Sequence, residues 1–359
     1  MSRVIQANSV SHALWMALHS LEAEHVSRDS RNGGVCAFPY PVLTEYLHPT
    51  NRVLFSPVRN ANPFFHLMES LWMLAGRNDV WFPALFASRM STYSDNGSTL
   101  AGAYGYRWLY TFGYDQIMHA ADILIKAPDS RRAVISMWNP GAWTPYGNTS
   151  DSFLASGGGL DVPCNTHIYL DTQDGALNMT VCCRSNDILW GCYGANAVHF
   201  SMLMEFISYI VGVPVGVYRQ FSNNLHLYPA NLPRGCTVEE LVKDVRSTDK
   251  YYGGTGRVTS TPLISIEKSE TPSLFMADVR TFFEAVDHIN VCGVPLKRNT
   301  DKLSDSSMYL TTFFQEVVSP MISLCWKRTD FGNDGSTNDW IVAGTEYRIR
   351  ATSSLKGLK

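Results

Sequence analysis

The sequence predicts an α+β fold in which helices pack against one β-sheet. Apolar residues recur at helical spacing over residues 9–24, 64–76 and 115–127, before any strong strand signal. Two alternating runs then surround an Asp-Gly dipeptide at 174–175, which is a strong hairpin-turn signal. A long apolar helix, predicted over residues 196–212, separates this hairpin from a further strand. Helices gathered against a run of strands are typical of α+β proteins.

Turn and cap residues limit the predicted elements. The apolar helix over 64–76 ends at its glycine, and residues 78–103, which are rich in Ser, Gly and Asn, predict a loop with short helical pieces. "RRAVISMWNP", residues 131–140, predicts a strand that its Asn-Pro pair ends. Asn196 is a good N-cap for the helix over 196–212.

The C-terminal part is less regular. Residues 235–275 are polar and turn-rich, and the chain is predicted to be helical again beyond residue 276. "TEYRIRATSSLKGLK", residues 345–359, is interpreted as a basic tail or one last strand. We therefore predict a catalytic domain over residues 1–275 and a C-terminal helical extension of the same domain over residues 276–359.

Composition excludes several function classes. The 359 residues carry a net charge of −3 and no block of Lys or Arg, so nothing points to nucleic acid or an anionic membrane. There is no run of about 18 apolar residues, and the first residues do not resemble a secretory signal. We expect a cytoplasmic protein with reduced cysteines. No CxxC or Cys/His spacing typical of zinc is present, so we predict no metal.

Cys164 lies in "DVPCN", at the head of the first hairpin strand. A buried structural thiol is the commoner role for a cysteine in such a core. However, Pro163 fixes the backbone at the strand entrance, and the chain carries arginines at several polar sites. A nearby cation lowers a thiol pKa and favours the nucleophilic thiolate.

Four arginines suggest an anionic ligand. Arg131 and Arg132 stand at a strand entrance, Arg184 precedes a Ser and an Asp, and Arg31 lies in the glycine loop "SRNGG". Guanidinium groups match phosphate oxygens, and a glycine loop lets backbone N–H groups approach an anion. A solvated pair is the alternative for Arg131 and Arg132.

Three further side chains are candidates for a polar site. Glu69 lies inside an apolar helix, where a charge is costly unless it is paired or functional. The alternative for Glu69 is a narrow wet stripe shared with His66. His226 and Tyr228 are two apart on a strand and face the same way, so they could hold a sugar hydroxyl or form a core pair.

Taken in order, these segments resemble the thymidylate synthase family. The resemblance runs from about residue 30 to 230 through "GAYGYRW", "DSRRAVISMWNP", "PCN", "CRSNDILWG" and "NNLHLY", with a fainter echo over 262–284. It implies the thymidylate synthase fold, with helices on a large mixed β-sheet. It also implies a homodimer joined through its sheets, a pyrimidine nucleoside monophosphate substrate and a 5,10-methylenetetrahydrofolate co-substrate.

The resemblance also implies roles for individual residues. Cys164 matches the nucleophile that adds to pyrimidine C6, Glu69 the carboxylate that organises waters for proton transfer, and Tyr104 the site tyrosine. Asp187 matches a residue near the folate and base. Arg31, Arg184 and Ser185 match phosphate ligands of the same subunit, and Arg131 and Arg132 match a pair that reaches the phosphate of the neighbouring subunit. Asn196 matches the residue that recognises the edge of the base. His226 and Tyr228 match the pair that holds the ribose 3′-hydroxyl.

Departures from the family pattern predict the product. "FASRMSTYSDNG", residues 86–97, has no Trp where the family has a Trp-rich stretch, Asn165 replaces the His after the nucleophile, and the usual closing tail is absent. Each change affects either the exclusion of water from the site or the recognition of the base. They favour a hydroxymethylase, in which water replaces hydride, acting on dUMP as in phage enzymes that modify pyrimidines.

Three alternatives stay open. The chain could be an unusual thymidylate synthase that makes dTMP. It could be a dCMP or CMP hydroxymethylase if Ala195, rather than Asn196, occupies the base-reading position, because "GCYGAN" is one residue longer than the family's segment. It could also be a family member that binds nucleotide without catalysis.

Overall fold

The structure, a computed structural model, describes residues 2–141, 151–233, 235–252, 256–293, 295–326 and 336–356. Its ten strands form two sheets. In chain order they are β1 (Arg3–Ala7), β2 (Val26–Ser30), β3 (Gly33–Ala37), β4 (Val42–Tyr46), β5 (Val134–Ser136), β6 (Asn165–Asp171), β7 (Leu177–Cys183), β8 (Asn186–Asp187), β9 (Val215–Ser222) and β10 (Leu225–Leu227).

The larger sheet has six strands in the order β1-β4-β9-β7-β6-β5. It is mixed, because β1 pairs with β4 and β7 with β9 in parallel, whereas the other neighbours are antiparallel. β6 and β7 form the hairpin predicted around Asp174 and Gly175, both of which have positive φ. A smaller sheet has the order β2-β3-β10-β8. The predicted fold class is confirmed.

Side chains on the six-stranded sheet alternate between a buried and a more open face. The register aligns one buried row, Ile135, Ile168, Val181, Gln220 and Thr44. The neighbouring row on the other face is Ser136, His167, Cys182, Phe221 and Leu43, all of them half-buried. Alternation of this kind leaves one face of the sheet packed on the core.

The helices cover the buried face and extend beyond the sheet. They are α1 (Val10–Glu24), α2 (Pro63–Leu74), α3 (Trp81–Ala84), α4 (Tyr104–Tyr106), α5 (Gln116–Lys126), α6 (Asp151–Gly157), α7 (Asn196–Val211), α8 (Val238–Thr248), α9 (Pro272–Val291), α10 (Thr300–Leu303), α11 (Ser319–Trp326) and α12 (Asp339–Lys356). The helices predicted over 9–24, 64–76, 115–127 and 196–212 are confirmed. In the part of the chain that the structure describes, no helix is long and apolar enough to cross a membrane.

Several local predictions are wrong. Asn196 does not cap α7: a π-helical segment, Ile188–Ala195, runs directly into the helix, so Asn196 already has helical φ and ψ. The strand predicted over 131–140 is only β5, and the arginine pair precedes it. Residues 235–275, expected to be turns, contain α8, which opens with a reciprocal cap between Thr237 and Glu240.

The C-terminal residues are helical rather than a basic tail or a last strand. α12 includes most of the stretch from residue 345 onward, and residues 357–359 lie outside the described part. Tyr347 of α12 meets Phe64 of α2 edge to face, with 5.9 Å between ring centroids. Buried residues of α9, α11 and α12 belong to the same hydrophobic core as the sheet. The C-terminal helices therefore pack behind α2, the helix that carries Glu69.

Candidate active site

Cys164 lies at the open end of the β6–β7 hairpin. It directly precedes β6, and the Cys164 carbonyl accepts a 2.9 Å hydrogen bond from the backbone N–H of Arg184, which follows β7. The hairpin register pairs Asn165 with Cys183, so residues 164 and 184 meet where the strands separate. The sheet thus places the thiol and a guanidinium group side by side.

Two arginines hold the backbone that leads to Cys164. The Arg184 guanidinium donates to the carbonyls of Pro163 and Val162 at 3.0 and 2.9 Å, and its Nη2 is 3.9 Å from Cys164 Sγ. Arg31 donates to the carbonyls of Gly159 and Leu160 at 2.9 and 3.3 Å. The structure therefore brings together three predicted site residues, Cys164, Arg184 and Arg31.

The charges around Cys164 oppose one another. Burial is the largest cause that raises the pKa of the Cys164 thiol, and the charges of Asp161 and Asp187 raise it further. Arg184 and Arg31 act in the other direction. The resting group is therefore a thiol, beside two cations that favour its thiolate.

Asp161 is a site carboxylate that the sequence reasoning missed. Its Oδ2 accepts a 2.7 Å hydrogen bond from the Gly102 backbone N–H. Burial raises the pKa of Asp161 to about 6, and Glu69 and Asp95 are among the charges that raise it. A Cβ at residue 102 would lie 2.9 Å from Asp161 Oδ1, so the glycine allows this approach. The position of Asp161 in "DVPCN", three residues before the thiol, was the available signal.

Tyr104 opens α4 and faces the thiol. Its ring stacks on Phe200 of α7 with 5.6 Å between centroids. Burial raises the pKa of Tyr104 well above its usual value, and the nearby Cys164 raises it further. The next residue, Gly105, lies so close to the Met73 carbonyl that a Cβ would be 1.8 Å from its oxygen. This close packing fixes Tyr104 beside α2.

Asn165, which follows the thiol, is fully buried in the hairpin. Its Nδ2 donates to the carbonyls of Cys182 and His167 at 2.8 and 3.2 Å. Its Oδ1 has no hydrogen-bond partner among the described residues. The amide therefore braces the hairpin and keeps one free acceptor.

Glu69 is buried between α2 and α7. Its Oε2 is 3.0 Å from Nε2 of His199, which is another residue that the sequence reasoning missed. His66, three residues earlier on α2, is also buried. Burial lowers the pKa of His66 well below its usual value, and the charges of Arg59 and His199 lower it further. The carboxylate is thus buried within ion-pair distance of a histidine rather than lying on a wet stripe.

The smaller sheet gathers the residues matched to sugar and base. β10 runs parallel to β8 with His226 beside Asp187, and the rings of His226 and Tyr228 lie 5.0 Å apart in a T-shape. His226 Nδ1 is 2.9 Å from Asn224 Oδ1. Burial lowers the pKa of His226, so the neutral imidazole is favoured.

Asp187 and Asn196 flank the π-helical segment between β8 and α7. Asp187 Oδ1 accepts from the Trp190 backbone N–H at 2.5 Å, and its Oδ2 has no partner among the described residues. Asn196 Nδ2 donates to Asn186 Oδ1 at 3.2 Å, and Asn186 Nδ2 donates to Ser222 Oγ at 3.1 Å. The amide at position 196 is therefore held by a buried polar chain.

The remaining predicted ligands lie at the margins. Ser185 is half-buried between β7 and β8. Arg131 and Arg132 are exposed on the turn before β5, at the edge of the six-stranded sheet, and no contact in the described structure joins them to Cys164. Among the described residues, no group of three or more His, Cys, Asp or Glu side chains is arranged to hold a metal ion.

Comparisons with known proteins identify the family of this chain. A protein of Pseudomonas phage M6 named deoxyuridylate hydroxymethyltransferase is 38% identical over 375 residues, which cover 99% of this chain and 97% of the relative. Proteins of the same name from Bacillus phage SP01 and Delftia phage PhiW-14 are 36% and 30% identical, over 78% and 80% of this chain and 66% and 77% of their own lengths. Residues 60–305 match the thymidylate synthase family. The match spans more than half of the chain, which therefore belongs to the thymidylate synthase family.

Proposed function

We propose that this chain is a deoxyuridylate hydroxymethyltransferase, which converts dUMP to 5-hydroxymethyl-dUMP with 5,10-methylenetetrahydrofolate and water. The observation that carries the proposal is the similarity to the Pseudomonas phage M6 protein of that name over 99% of this chain. The geometry around Cys164 supplies the chemistry that such a reaction needs.

In this proposal Cys164 Sγ adds to C6 of the uracil ring. Addition of a thiolate at C6 makes C5 enolate-like, so C5 can bond to a one-carbon electrophile. The cations of Arg184 and Arg31 favour the thiolate that burial disfavours. Tyr104 packs against the same hairpin and limits the space beside the thiol.

Phosphate binding is assigned to Arg31, Arg184 and Ser185. The two guanidinium groups already converge on the segment before Cys164, and their remaining N–H groups can reach an anion. Arg131 and Arg132 would complete the phosphate site of a neighbouring subunit in a homodimer. The open face of the six-stranded sheet, whose central positions include Phe221 and Cys182, supports an interface there.

Base and sugar are assigned to Asn196, His226 and Tyr228. The Asn196 amide keeps its Oδ1 acceptor and one Nδ2 hydrogen while Asn186 holds its other hydrogen. An acceptor and a donor side by side match N3–H and O4 of uracil. His226 on β10 and Tyr228, directly after that strand, lie ring against ring and can hold the ribose hydroxyl.

The folate co-substrate supplies the one-carbon unit when it is bound. Residues near Asp187 fit a flat ring with polar edges. Asp187 Oδ2 and Arg59 Nε are buried polar atoms without a partner among the described residues. The Trp190 ring, 38% exposed, lies 5.7 Å from the Phe65 ring and offers an apolar surface. Asp187 and Arg59 would hold the polar edge of the folate and Trp190 would contact its face.

The last step decides the product. Residues 86–97, which lack Trp, include a short 3-10 helix over Ser88–Tyr93 that is largely exposed. Small polar residues there would admit water to the electrophilic carbon, and Glu69 lies within the site to take up a proton. The enzyme would act in the cytoplasm of the bacterial host if the gene belongs to a phage.

Turnover in water enriched in heavy oxygen tests the proposal. Purified protein, dUMP and methylenetetrahydrofolate should yield a nucleotide with one labelled oxygen on the new carbon, and no absorbance rise from dihydrofolate. Thymidylate formed in step with dihydrofolate would show a synthase instead. Binding without turnover would show a non-catalytic family member. A parallel reaction with dCMP measures base selectivity, and preferential turnover of dCMP would contradict the assignment of Asn196.

A further inference from the structure

His199 and Glu69 form a buried pair with free polar atoms. Nε2 of His199 lies 3.0 Å from Oε2 of Glu69, and the two side chains are only 4% and 10% exposed. Neither atom has an aligned hydrogen-bond partner among the described residues. Leaving such groups without an aligned hydrogen bond in a core is costly, so their retention points to a ligand or a reacting group.

The helix geometry directs this pair toward the base. His199 follows Asn196 by three residues on α7, and residues at this spacing lie on the same helix face. Asn196 is assigned to the base edge. His66 lies three residues before Glu69 on α2, and its lowered pKa keeps it neutral, so it does not compete for the carboxylate as a cation.

The reaction itself explains why a second group is needed at Glu69. Reduction by hydride adds H⁻ to the exocyclic methylene and removes no proton from the nucleophile. Addition of water at the same carbon requires a base, because the attacking O–H must lose its proton. A proton-accepting pair is therefore specific to the hydroxymethyl product.

We propose that His199 is a positioning residue that holds the Glu69 carboxylate and shares the proton which Glu69 takes from the attacking water. This inference rests on the proposed hydroxymethylation. The oxygen of water bonds to the exocyclic carbon, and the electron pair of the C5=CH2 bond moves to C5–C4–O4 as an enolate. The water proton goes to the pair. The enolate then re-forms C5=C6 and expels Cys164 Sγ from C6 as a thiolate beside Arg184, so neither oxidant nor reductant is needed.

The test separates the steps before and after the methylene. With dUMP tritiated at C5, tritium release reports the steps up to loss of the C5 proton, and 5-hydroxymethyl-dUMP reports water addition. In His199→Gln, which keeps polarity and removes the proton acceptor, tritium release should stay within about threefold of the wild-type rate. Hydroxymethyl product should fall about 100-fold or more, the usual size of a lost acid–base group.

A thiol provides the second readout. Added 2-mercaptoethanol reacts with the methylene as a soft nucleophile that does not depend on the pair, so His199→Gln should give a thioether product that the wild type does not accumulate. Ser201→Ala is the matched control, because Ser201 is buried on α7 and its hydroxyl donates to the Val198 carbonyl of the same helix. It should leave both rates and their ratio unchanged. His199→Asn serves as the second substitution should the Gln variant fold poorly.

Three outcomes would overturn the inference. Equal loss of tritium release and hydroxymethyl product in both His199 variants would show a purely structural role, and wild-type rates for both readouts would show no role in water addition. If the wild type makes thymidylate and dihydrofolate, the proposed function fails and this inference fails with it. The wild-type product alone distinguishes that case.

Discussion

The reactivity of the Cys164 thiol depends on charged side chains that the surrounding loops place near it. Arg184 and Arg31 favour the thiolate, whereas burial, Asp161 and Asp187 disfavour it. Asp161 itself titrates at about pH 6, because burial raises its pKa. Its charge is therefore fully present only above that pH, and it opposes the thiolate under the conditions in which the enzyme would work.

Asp161→Asn should lower the pKa of Cys164 by removing this negative charge. We expect alkylation of Cys164 by iodoacetamide to be several-fold faster than in the wild type at pH 7.5–8.5, as followed by peptide mass spectrometry. The two rates should converge below about pH 6, where Asp161 is protonated. Arg184→Gln should act in the opposite direction and slow alkylation.

Asp174→Asn is the control for charge alone. Asp174 lies in the hairpin turn with positive φ, a conformation that Asn also tolerates, and it is exposed. It should leave the alkylation rate unchanged. Equal rates for Asp161→Asn and wild type across the pH range would contradict the electrostatic account.

The sequence predicts those site residues that lie within a recognisable local motif. Cys164 and Arg184 stand in short polar stretches at strand ends, and the family resemblance gave them roles. Asp161 and His199 were missed because their surroundings come from distant segments. Asp161 meets the Gly102 backbone, and His199 meets Glu69 across two helices. No pattern within one segment records such contacts.

Among the elements, α7 is anchored by a buried ion pair. The Arg52 guanidinium contacts Glu205 of α7, and both side chains are almost completely buried. Glu205 Oε1 also accepts from the Leu263 backbone N–H at 2.9 Å. The pair thus joins the segment before α2, the middle of α7 and the loop before α9.

Arg52→Ala should destabilise the protein by about 3–5 kcal/mol, because it leaves the Glu205 carboxylate buried without its cation. Urea unfolding followed by tryptophan fluorescence measures this. Lys126→Ala removes an exposed pair with Asp122 and should cost about 0.5 kcal/mol or less. A loss for Arg52→Ala as small as that of the control would show that the buried pair does not anchor α7.

Prediction of elements succeeded where the periodicity was long. α1, α2, α5 and α7 carry apolar faces over three or more turns, and the hairpin has its Asp-Gly turn. β1 to β4 were missed because each has only five residues, and β2 is exposed throughout. α12 was missed because its polar sequence is stabilised by packing on α2 rather than by its own pattern.

For the whole molecule, the open sheet face and the exposed pair Arg131 and Arg132 lead us to expect a site shared between two chains. Arg131 and Arg132 lie at the edge beyond β5, away from the thiol of the same chain. If they serve a neighbouring subunit, each site needs two chains. The division of the chain at residue 275 remains a prediction, and the continuous core favours a single folding unit.

Mixed dimers test the shared site. Arg131→Ala and Cys164→Ala homodimers should each be nearly inactive, because under the proposed assignment one lacks a phosphate ligand and the other lacks the nucleophile. Heterodimers of the two chains should regain up to one working site per dimer, since one site receives an intact Cys and an intact Arg. Differently tagged chains, co-purified and assayed for hydroxymethyl product, measure this recovery.

A mixture of Cys164→Ala with Lys126→Ala chains is the control, because Lys126 is exposed and its ion pair is with Asp122 of the same helix. Its activity should match that of the intact site it contains. Verified heterodimers of the arginine and cysteine variants without recovered activity would contradict a site built from two chains.

Arg31 and Arg184 bind the segment before Cys164 through its main-chain oxygens. A carbonyl is present whatever side chain a residue carries. The exposed Leu160 can therefore be exchanged without removing these bonds, whereas the Asp161 side chain also ties the loop to the Gly102 backbone N–H. The side chains next to Cys164 can thus change while the backbone that positions the thiol is kept. A library of substitutions at Leu160 would test this, because its members should keep Cys164 in place while they change the surface beside it.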